Sequence, residues 1–386
     1  MKLFRRAALS AAVAAAAFAP AAYAQQQGVT DTEIVVGDIL PLSGPPALLG
    51  IAHNIGVKVA VAEANAQGGI NGRKVRLISE DDGYVISRTL QGLRKLINSD
   101  KVFALTSLSG STQGQAALPL IKESGIPVIT TISFAEDAYK PVVKNVFALG
   151  TLHPLVTGEI TKQLATRFPG KKWAIVTQDD EYGELTRHGF EEAQRALKLD
   201  VVSTAIYKKG QSDFSSEMLK VKQSGAEVLY AGGLISENVA MAKELERQGL
   251  KVPMGVSYVA RVAATLKLMG TAGENIYTAD YVEAEESARG KAFLQKAKAL
   301  ISEDEFKRVN RFTMSGYAGA RVMFEAMRRC GKALTTACTI SQLESMKDFD
   351  TGVTSPVSFT PTSHLSVQKL QLLKGNPTTL AFDPVQ

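Results

Sequence analysis

Short apolar runs alternate with helical stretches along almost the whole chain, and this alternation constrains the fold most strongly. From Glu33 the runs "EIVVGDIL", "KVRLISE", "VFALTS" and "PVITTI" are separated by amphipathic stretches such as "NIGVKVAVAEANA" and "SRTLQGLRKLI". Such strands indicate a parallel sheet that is covered on both faces. The rhythm starts again after "NVFALGTLHP", with "KWAIVTQ", "VVSTAIY" and "EVLYAGG". The sequence therefore predicts two doubly wound, Rossmann-like α/β lobes.

The two lobes are expected to be discontinuous in sequence, because two long helical stretches after residue 282 must pack back onto one of them. We expect residues 28–150 and about 283–355 to form the N-terminal lobe, and residues 151–282 and about 356–386 to form the C-terminal lobe. A multi-crossover hinge would join them. Ligands of open α/β sheets bind beyond the carboxyl ends of the strands, so the expected site is the cleft between the lobes.

The C-terminal segment alternates apolar and polar residues around Pro361 to His364. This pattern predicts a β-hairpin that ends in a Lys-Gly-Asn turn. Upstream of it the chain has only two cysteines, Cys330 and Cys338. In an exported chain they are expected to form a disulfide, since their spacing fits no zinc or redox motif.

The N-terminus has the features of an export signal. Three basic residues precede an Ala-rich apolar stretch, and Ala22-Tyr23-Ala24 supplies a small-x-small cleavage pattern. Residues 1–24 are therefore expected to be removed, leaving a periplasmic protein in a Gram-negative cell. No later segment is expected to span a bilayer. The formal net charge of +6 comes without a Lys/Arg block interleaved with aromatic residues, so nucleic acid is not an expected partner.

Several motifs carry a family resemblance. They include "GDILPLSGPPALLG", "EANAQGGINGRKVRLISEDDG", "SLSGSTQ", "VTQDDEYGE" and "ERQGLKVPMG". In order along the mature chain, they are similar to the Leu/Ile/Val-binding branch of the periplasmic solute-binding proteins that feed ABC importers. The resemblance implies the type I periplasmic binding protein fold, a monomer, a small-molecule ligand and an ABC permease of the inner membrane as partner. It implies neither a cofactor nor a metal, and no enzymatic activity.

The resemblance implies that the loop Ser109-Gly110-Ser111-Thr112 holds a ligand carboxylate. Hydroxyl and backbone N–H donors suit a carboxylate without a counter-charge. The alternative for Ser111 and Thr112 is that they only cap the following helix. Tyr182 matches the pocket Tyr of the family, where it can stack on the ligand or bond to it.

The chain departs from the amino-acid binders of this family where they hold the ligand ammonium. Ser257 in "MGVSY" replaces their acidic side chain, and "ITTISFAED" places Ile132, Ser133 and Phe134 where they have small residues and a Thr. The segment around His153 also supplies no carboxylate. A buried ammonium without a partner would be costly, so these changes disfavour an amino-acid ligand.

Other predicted wall positions are apolar or aromatic. Leu49 and Leu234 stand where amino-acid binders often carry aromatic residues, and Tyr258 lies near the same strand end. Core packing is the alternative for each of them. Together they favour an apolar ligand body, and the sequence thus predicts a small carboxylate with an apolar or aromatic body, bound by cleft closure.

Three other functions stay open at this stage. A branched-chain or other apolar amino acid could bind with altered ammonium contacts, and the same two-lobed module could serve as a ligand sensor. A Ser hydrolase that pairs Ser109 with His153 across the cleft is the enzymatic alternative. It is disfavoured because "SLSGS" lacks the glycine that a nucleophile elbow has two residues before its serine.

Overall fold

The structure is a computed structural model that describes residues 26–132, 141–366 and 368–385. The predicted export signal, Ser133 and Phe134 lie outside these described residues. Within them the chain forms two sheets, each flanked by helices, which confirms the predicted pair of α/β lobes.

A six-stranded parallel sheet is the centre of the first lobe. Its strands are β1 (Glu33–Leu40), β2 (Lys74–Asp81), β3 (Ala104–Leu108), β4 (Val128–Thr130), β5 (Val146–Leu149) and β11 (Leu365–Ser366). They lie in the order β11-β5-β4-β3-β1-β2, and every neighbouring pair is parallel. The central strands β1, β3, β4 and β5 are almost completely buried, as expected for a sheet with helices on both faces.

The second lobe contains a seven-stranded mixed sheet. Its strands are β6 (Lys172–Gln178), β7 (Asp200–Tyr207), β8 (Val228–Gly232), β9 (Met254–Val256), β10 (Ile276–Asp280), β12 (Gln371–Asn376) and β13 (Ala381–Pro384). They lie in the order β13-β12-β10-β9-β8-β6-β7. The first five strands are parallel, and β12 and β13 add an antiparallel hairpin at one edge.

Helices connect these strands. Those of the first lobe are α1 (Ala47–Ala66), α2 (Ile86–Arg94), α3 (Ser111–Ser124), α9 (Ala288–Leu300), α10 (Glu303–Phe306), α11 (Arg311–Arg329) and α12 (Thr336–Glu344). Those of the second lobe are α4 (His153–Arg167), α5 (Glu181–Leu197), α6 (Ser215–Gln223), α7 (Ile235–Arg247) and α8 (Ala263–Met269). A short helical turn, Tyr258–Ala260, follows β9.

Local chemistry fixes the ends of the helices that border the cleft. The side chain of Asp180 accepts the N–H of Gly183 and so caps the start of α5. Glu181 and Glu184 lie in the first turn of this helix, where negative charge is favourable, and Lys198 ends it in a left-handed conformation. The capped helix start is thereby held beside the carboxyl end of β6.

Helix α1 is the core helix of the first lobe. By length and composition alone this 20-residue helix could cross a membrane, since one stretch of it has a mean hydropathy of 1.3, but 61% of that stretch is buried inside the protein. It packs against α11. A Cβ atom at Gly56 would lie 1.9 Å from the carbonyl oxygen of Thr313, so glycine permits this close approach. The apolar composition therefore serves packing within the lobe.

The chain crosses between the lobes after β5, after β10 and between β11 and β12. The predicted boundary at about residue 356 was therefore too early, since Leu365 and Ser366 still pair with β5 of the first sheet. Helices α9 to α12 pack on the first lobe.

The predicted C-terminal hairpin was wrong in its position. Thr360 and Ser363 form only an isolated bridge, whereas the hairpin consists of β12 and β13. Lys374, Gly375 and Asn376 belong to strand β12 instead of a turn, because they pair with β13. The Asn376 side chain accepts the N–H groups of Thr378 and Thr379 and so closes the turn between β12 and β13.

The expected disulfide is present. Cys330, just after α11, is bonded to Cys338 in α12, with the two Cα atoms 6.0 Å apart. The bond closes a short loop on the outer side of the first lobe. In the chain-entropy model a loop of this size stabilises by roughly 2 to 3 kcal/mol.

Candidate functional site

A cavity lies between the lobes at the carboxyl ends of both sheets. Its volume is about 450 Å³, counting the part open to solvent. It is lined by Pro41, Pro46, Leu49, Tyr84, Gly110, Ser111, Ile132, His153, Tyr182, Leu234, Tyr258 and Val259. This is the crevice in which open α/β folds bind ligands.

Several helices begin at this cavity. The first turns or caps of α1, α3, α4, α5 and α7 each contribute a wall residue. The first N–H groups of a helix have no carbonyl partner within the helix, and its dipole is positive at this end. The arrangement therefore favours a negatively charged group at the wall, most directly beside Gly110 and Ser111.

The structure brings seven of the residues predicted from sequence to the cavity wall. They are Leu49, Gly110, Ser111, Ile132, Tyr182, Leu234 and Tyr258. Tyr182 is almost fully buried, and its hydroxyl donates to the carbonyl oxygen of Gly233 at 3.3 Å. Its ring is therefore held in place as a flat surface that a ligand can contact.

Two residues of the hydroxyl-rich loop are directed away from the cavity. Ser109 is buried, and its hydroxyl donates to Asp82 at 3.4 Å. The Thr112 hydroxyl donates across the cleft to Asp180 at 3.3 Å. Neither residue lines the cavity. Two acidic groups thus lie beside these hydroxyls, although the sequence comparison with amino-acid binders pointed to none, and neither carboxylate belongs to the cavity wall.

The position expected to replace the ammonium-binding acid also lies behind the wall. Ser257 is buried at the end of β9, where its hydroxyl accepts the N–H of Val259 and so caps the short turn that carries Tyr258. It therefore positions a wall residue and brings no negative charge. Ser133 and Phe134, two further predicted contacts, fall outside the described residues.

Sequence reasoning missed five wall residues, which are Pro41, Pro46, Tyr84, His153 and Val259. The His153 ring lies 4.4 Å from that of Tyr182, and its Nε2 is 2.7 Å from the Thr186 hydroxyl. Burial lowers the pKa of His153 to about 3, so the ring is neutral. The signal that could have found these residues is their position directly after strands or at helix starts.

Charged residues lie around the cavity rather than on its wall. Asp82 is buried, and desolvation raises the pKa of its carboxyl above the usual value. On the other lobe Lys209 lies over the Tyr84 ring at 4.0 Å from the centroid, with its Nζ 3.8 Å from Asp180. These groups form the side of the site away from the crossovers, which we call the mouth.

A buried ion cluster lies at the crossover side. Arg261 and Arg311 both bond to Asp280, at 2.7 Å and 2.8 Å. The Arg311 guanidinium also lies 4.7 Å from the ring centroid of the wall residue Tyr258. The Arg261 side chain is only 6% exposed and is paired with Asp280. The cluster joins the lobes, because Arg311 belongs to α11 and Asp280 to β10.

The geometry gives no support to hydrolysis by Ser109 and His153. The Ser109 hydroxyl is bonded to Asp82, and the His153 ring is bonded to Thr186. In residues 26–132, 141–366 and 368–385, no group of three or more His, Cys, Asp or Glu side chains could hold a metal ion.

Comparisons with known proteins agree with this arrangement. Residues 33–379 match the family model described as periplasmic binding protein. The Leu/Ile/Val-binding protein BraC3 of Rhizobium johnstonii is 26% identical over 366 residues, which cover 94% of this chain and 95% of the relative.

Two solved structures show the same fold. The branched-chain amino acid ABC transporter protein of Thermus thermophilus, solved with bound valine, has a TM-score of 0.83 at 19% identity and covers 93% of this chain and 96% of its own. The solute-binding protein of R. palustris in complex with 4-hydroxybenzoate has a TM-score of 0.81 at 22% identity, with 92% and 96% covered. The chain belongs to the periplasmic binding protein family, as its resemblance to the Leu/Ile/Val-binding branch indicated.

Proposed function

We propose that this chain is the substrate-binding component of an ABC importer and that its ligand is a small carboxylate with an apolar or aromatic body. The ligand would lie in the interlobe cavity and contact both lobes at once. Because a ligand that bridges the lobes binds the closed form better than the open form, binding shifts the population towards closure. No chemical step is required.

One observation carries the choice of ligand: no Asp, Glu, Lys or Arg side chain lies among the described residues of the cavity wall. Among its described residues the body of the cavity is formed by proline, aliphatic and tyrosine side chains, and the only titratable ring besides tyrosine there is the neutral His153. Burial of an apolar ligand body against such a wall is favourable by about 25 cal/mol per Å² of apolar surface. The helix starts supply donors for a negative head group.

An α-ammonium group has no partner on this wall. By resemblance to the family, Ser257 stands where amino-acid binders carry the acidic residue that holds the ammonium. Ser257 is buried behind Tyr258. A charge placed in such an apolar cavity without a partner costs several kcal/mol. An acid that lacks the ammonium avoids this cost.

A second candidate is a branched-chain or other apolar amino acid. It is favoured by Asp82 and Asp180, whose carboxylates lie next to the loop hydroxyls and could accept from an ammonium. Several similar proteins are also named as Leu/Ile/Val-binding, whereas one structural neighbour was solved with 4-hydroxybenzoate.

Leucine and 4-methylpentanoate separate the two candidates, because they differ only in the ammonium group. We expect calorimetry of the mature chain to show binding of 4-methylpentanoate and of benzoate, and at least tenfold weaker binding of leucine. Glycerol at equal concentration serves as the uncharged control. Tighter binding of leucine than of 4-methylpentanoate would refute the proposal that the ligand lacks an ammonium group and would establish an amino-acid ligand.

The remaining parts of the proposal concern compartment and partner. The signal pattern at residues 1–24 supports export and cleavage, which mass spectrometry of periplasmic extract would test through a mature chain that begins at Gln25. An ABC permease is the proposed partner of a monomeric protein. Uptake of the bound acid into vesicles that contain the permease would support import, and closure without uptake would favour the sensor alternative.

A further inference from the structure

We propose that the hydroxyl of Tyr84 is the side-chain donor that holds the ligand carboxylate, next to the first N–H groups of α3. The inference rests on the proposed function and names a head-group residue for the same site. It also replaces Ser109 in that role.

The position of the Tyr84 ring is the first argument. Tyr84 lines the cavity and covers Gly110, the residue that precedes α3. A Cβ atom on Gly110 would lie 2.7 Å from Cε2 of Tyr84 and 2.9 Å from its hydroxyl oxygen. Glycine at 110 thus makes room for the ring, and the hydroxyl lies directly beside the helix start that favours an anion.

The backbone of Tyr84 is the second argument. Its φ of +63° is in the left-handed region, which is unfavourable for a bulky side chain and is better occupied by Gly or Asn. The conformation is held by two hydrogen bonds of 2.8 Å, from Tyr84 N–H to Asp82 and from the Gln113 side chain to the Tyr84 carbonyl. Strain of this kind concentrates at functional sites, so it points to a use for the ring or hydroxyl.

Three competing donors are already engaged. The hydroxyl of Ser109 donates to Asp82, and that of Thr112 donates to Asp180. The hydroxyl of Tyr182 donates to Gly233. Each of these groups would have to give up an acceptor before it could reach a ligand. The Tyr84 hydroxyl is therefore the donor best placed at the start of α3.

The electrostatic surroundings keep this hydroxyl a donor. Burial, and after it the carboxylates of Asp180 and Asp82, raise the pKa of Tyr84 above its ordinary value. The phenol is therefore protonated at neutral pH, and a protonated phenol can donate to a carboxylate. Lys209 of the second lobe lies over the ring at 4.0 Å, so closure also clamps the ring in position.

The substitution Tyr84→Phe tests the inference, because it removes only the hydroxyl and keeps the ring and the backbone. We would measure by calorimetry the affinities for two acids and their primary amides, benzoate with benzamide and 4-methylpentanoate with 4-methylpentanamide. We expect Tyr84→Phe to weaken acid binding about tenfold, the usual cost of a lost bond to a charged group. Amide binding should change by no more than about twofold, since a neutral group gains less from the donor.

The matched control is Tyr207→Phe. Tyr207 is a buried tyrosine near the same lobe interface whose hydroxyl donates to the backbone carbonyl of Gly232, but the residue is not part of the cavity wall. It should leave the ratio of acid to amide affinity unchanged.

An unchanged acid affinity in Tyr84→Phe would overturn the inference, as would an equal loss for acid and amide, which would indicate a packing role only. The proposed function fails separately, if the wild type binds leucine and neither acid. In that case leucine and leucinamide replace the two pairs, and the same comparison still decides whether Tyr84 holds the carboxylate.

Discussion

The two sides of the cleft hold the lobes together by different means. On the crossover side, Arg311 of the first lobe makes two hydrogen bonds to Asp280 of the second, at 2.8 Å and 2.9 Å, and both side chains are buried. At the mouth, the contacts are the hydrogen bond from Thr112 to Asp180 and Lys209 over Tyr84. Tyr84 follows β2 and Lys209 follows β7, and these two strands lie at the sheet edges farthest from the crossovers. Thr112 and Asp180 face each other across the cleft on the same side.

The distance from the hinge explains the difference. When two domains rotate about a hinge, groups near the axis move little and groups far from it separate. The ion pair on the crossover side can therefore persist in open and closed states and contribute to the stability of both. We expect the mouth contacts to form only in the closed state, where they would contribute to ligand affinity instead.

The largest expected effect comes from removing the hinge arginine. Arg311→Met leaves Asp280 buried with Arg261 as its single cation, and breaking a buried ion pair in this way typically costs about 3 to 5 kcal/mol. We expect a loss of this order in the free energy of unfolding of the ligand-free protein, measured in urea. The side chain of Arg311 is 1% exposed and that of Asp280 is 0% exposed, so solvent cannot replace the lost partner.

Arg289→Met is the matched control. Arg289 pairs with Asp350 and Glu283, but its side chain is 41% exposed. Pairs of this kind contribute about 0 to 1 kcal/mol. If Arg311→Met were no more destabilising than Arg289→Met, the hinge pair would be as dispensable as a surface pair and the contrast between the two sides would disappear.

The pH dependence of the same variant sharpens the contrast. Burial would raise the pKa of Asp280, but the guanidinium groups of Arg311 and Arg261 outweigh it and hold the pKa below its ordinary value. A carboxyl with a lowered pKa stabilises the fold above its unfolded pKa of about 3.9, and this contribution is lost as the pH falls through the folded value. In Arg311→Met the pKa of Asp280 rises.

The stability difference between wild type and Arg311→Met should therefore be largest near pH 7 and shrink by about 1 to 3 kcal/mol towards pH 3, because the raised pKa lets folded Arg311→Met protonate Asp280 at a pH where the wild-type carboxyl is still ionised. Urea unfolding at several pH values measures this difference. A difference that is constant from pH 7 to pH 3 would show that Arg311 acts by packing alone.

Much of this architecture was predictable because it follows from local patterns. Periodicity identified the two lobes, and the rule that ligands bind beyond strand ends placed the expected site in the cleft. Leu49, Gly110 and Tyr182 were expected there from the family resemblance, and all three line the cavity. The disulfide followed from the cysteine count and the export signal.

The rest depends on contacts between distant parts of the chain. The side chain of Ser109 could not be oriented from sequence, because its acceptor Asp82 comes from a loop after another strand. Arg261, Asp280 and Arg311 are separated by 19 and 31 positions and follow no common period. Tyr84 was hidden in a turn signal, "EDDGY", that predicts loop geometry and says nothing of a ring lying over Gly110.

The smallest expected effect lies at the mouth, where Lys209→Met removes the cation over Tyr84 and keeps a side chain of similar length. A partly exposed cation–π contact contributes about 0.5 to 1 kcal/mol, so we expect roughly two- to fivefold weaker binding of the tightest acid and faster dissociation. The unfolding free energy of the ligand-free protein should change by less than about 0.5 kcal/mol. The control is Lys208→Met, at an exposed lysine next to Lys209. This substitution should change neither the affinity for the acid nor the unfolding free energy.

Salt provides an independent check of the mouth contact. Screening lengths fall from about 10 Å at 0.1 M to about 3 Å at 1 M salt, so high salt should weaken wild-type binding more than binding by Lys209→Met. Stopped-flow measurement of ligand dissociation at both salt concentrations would show this. If Lys209→Met instead destabilised the ligand-free protein as much as it weakened binding, the mouth contact would already be present without ligand. The mouth would then resemble the hinge, and closure would have to be stabilised elsewhere.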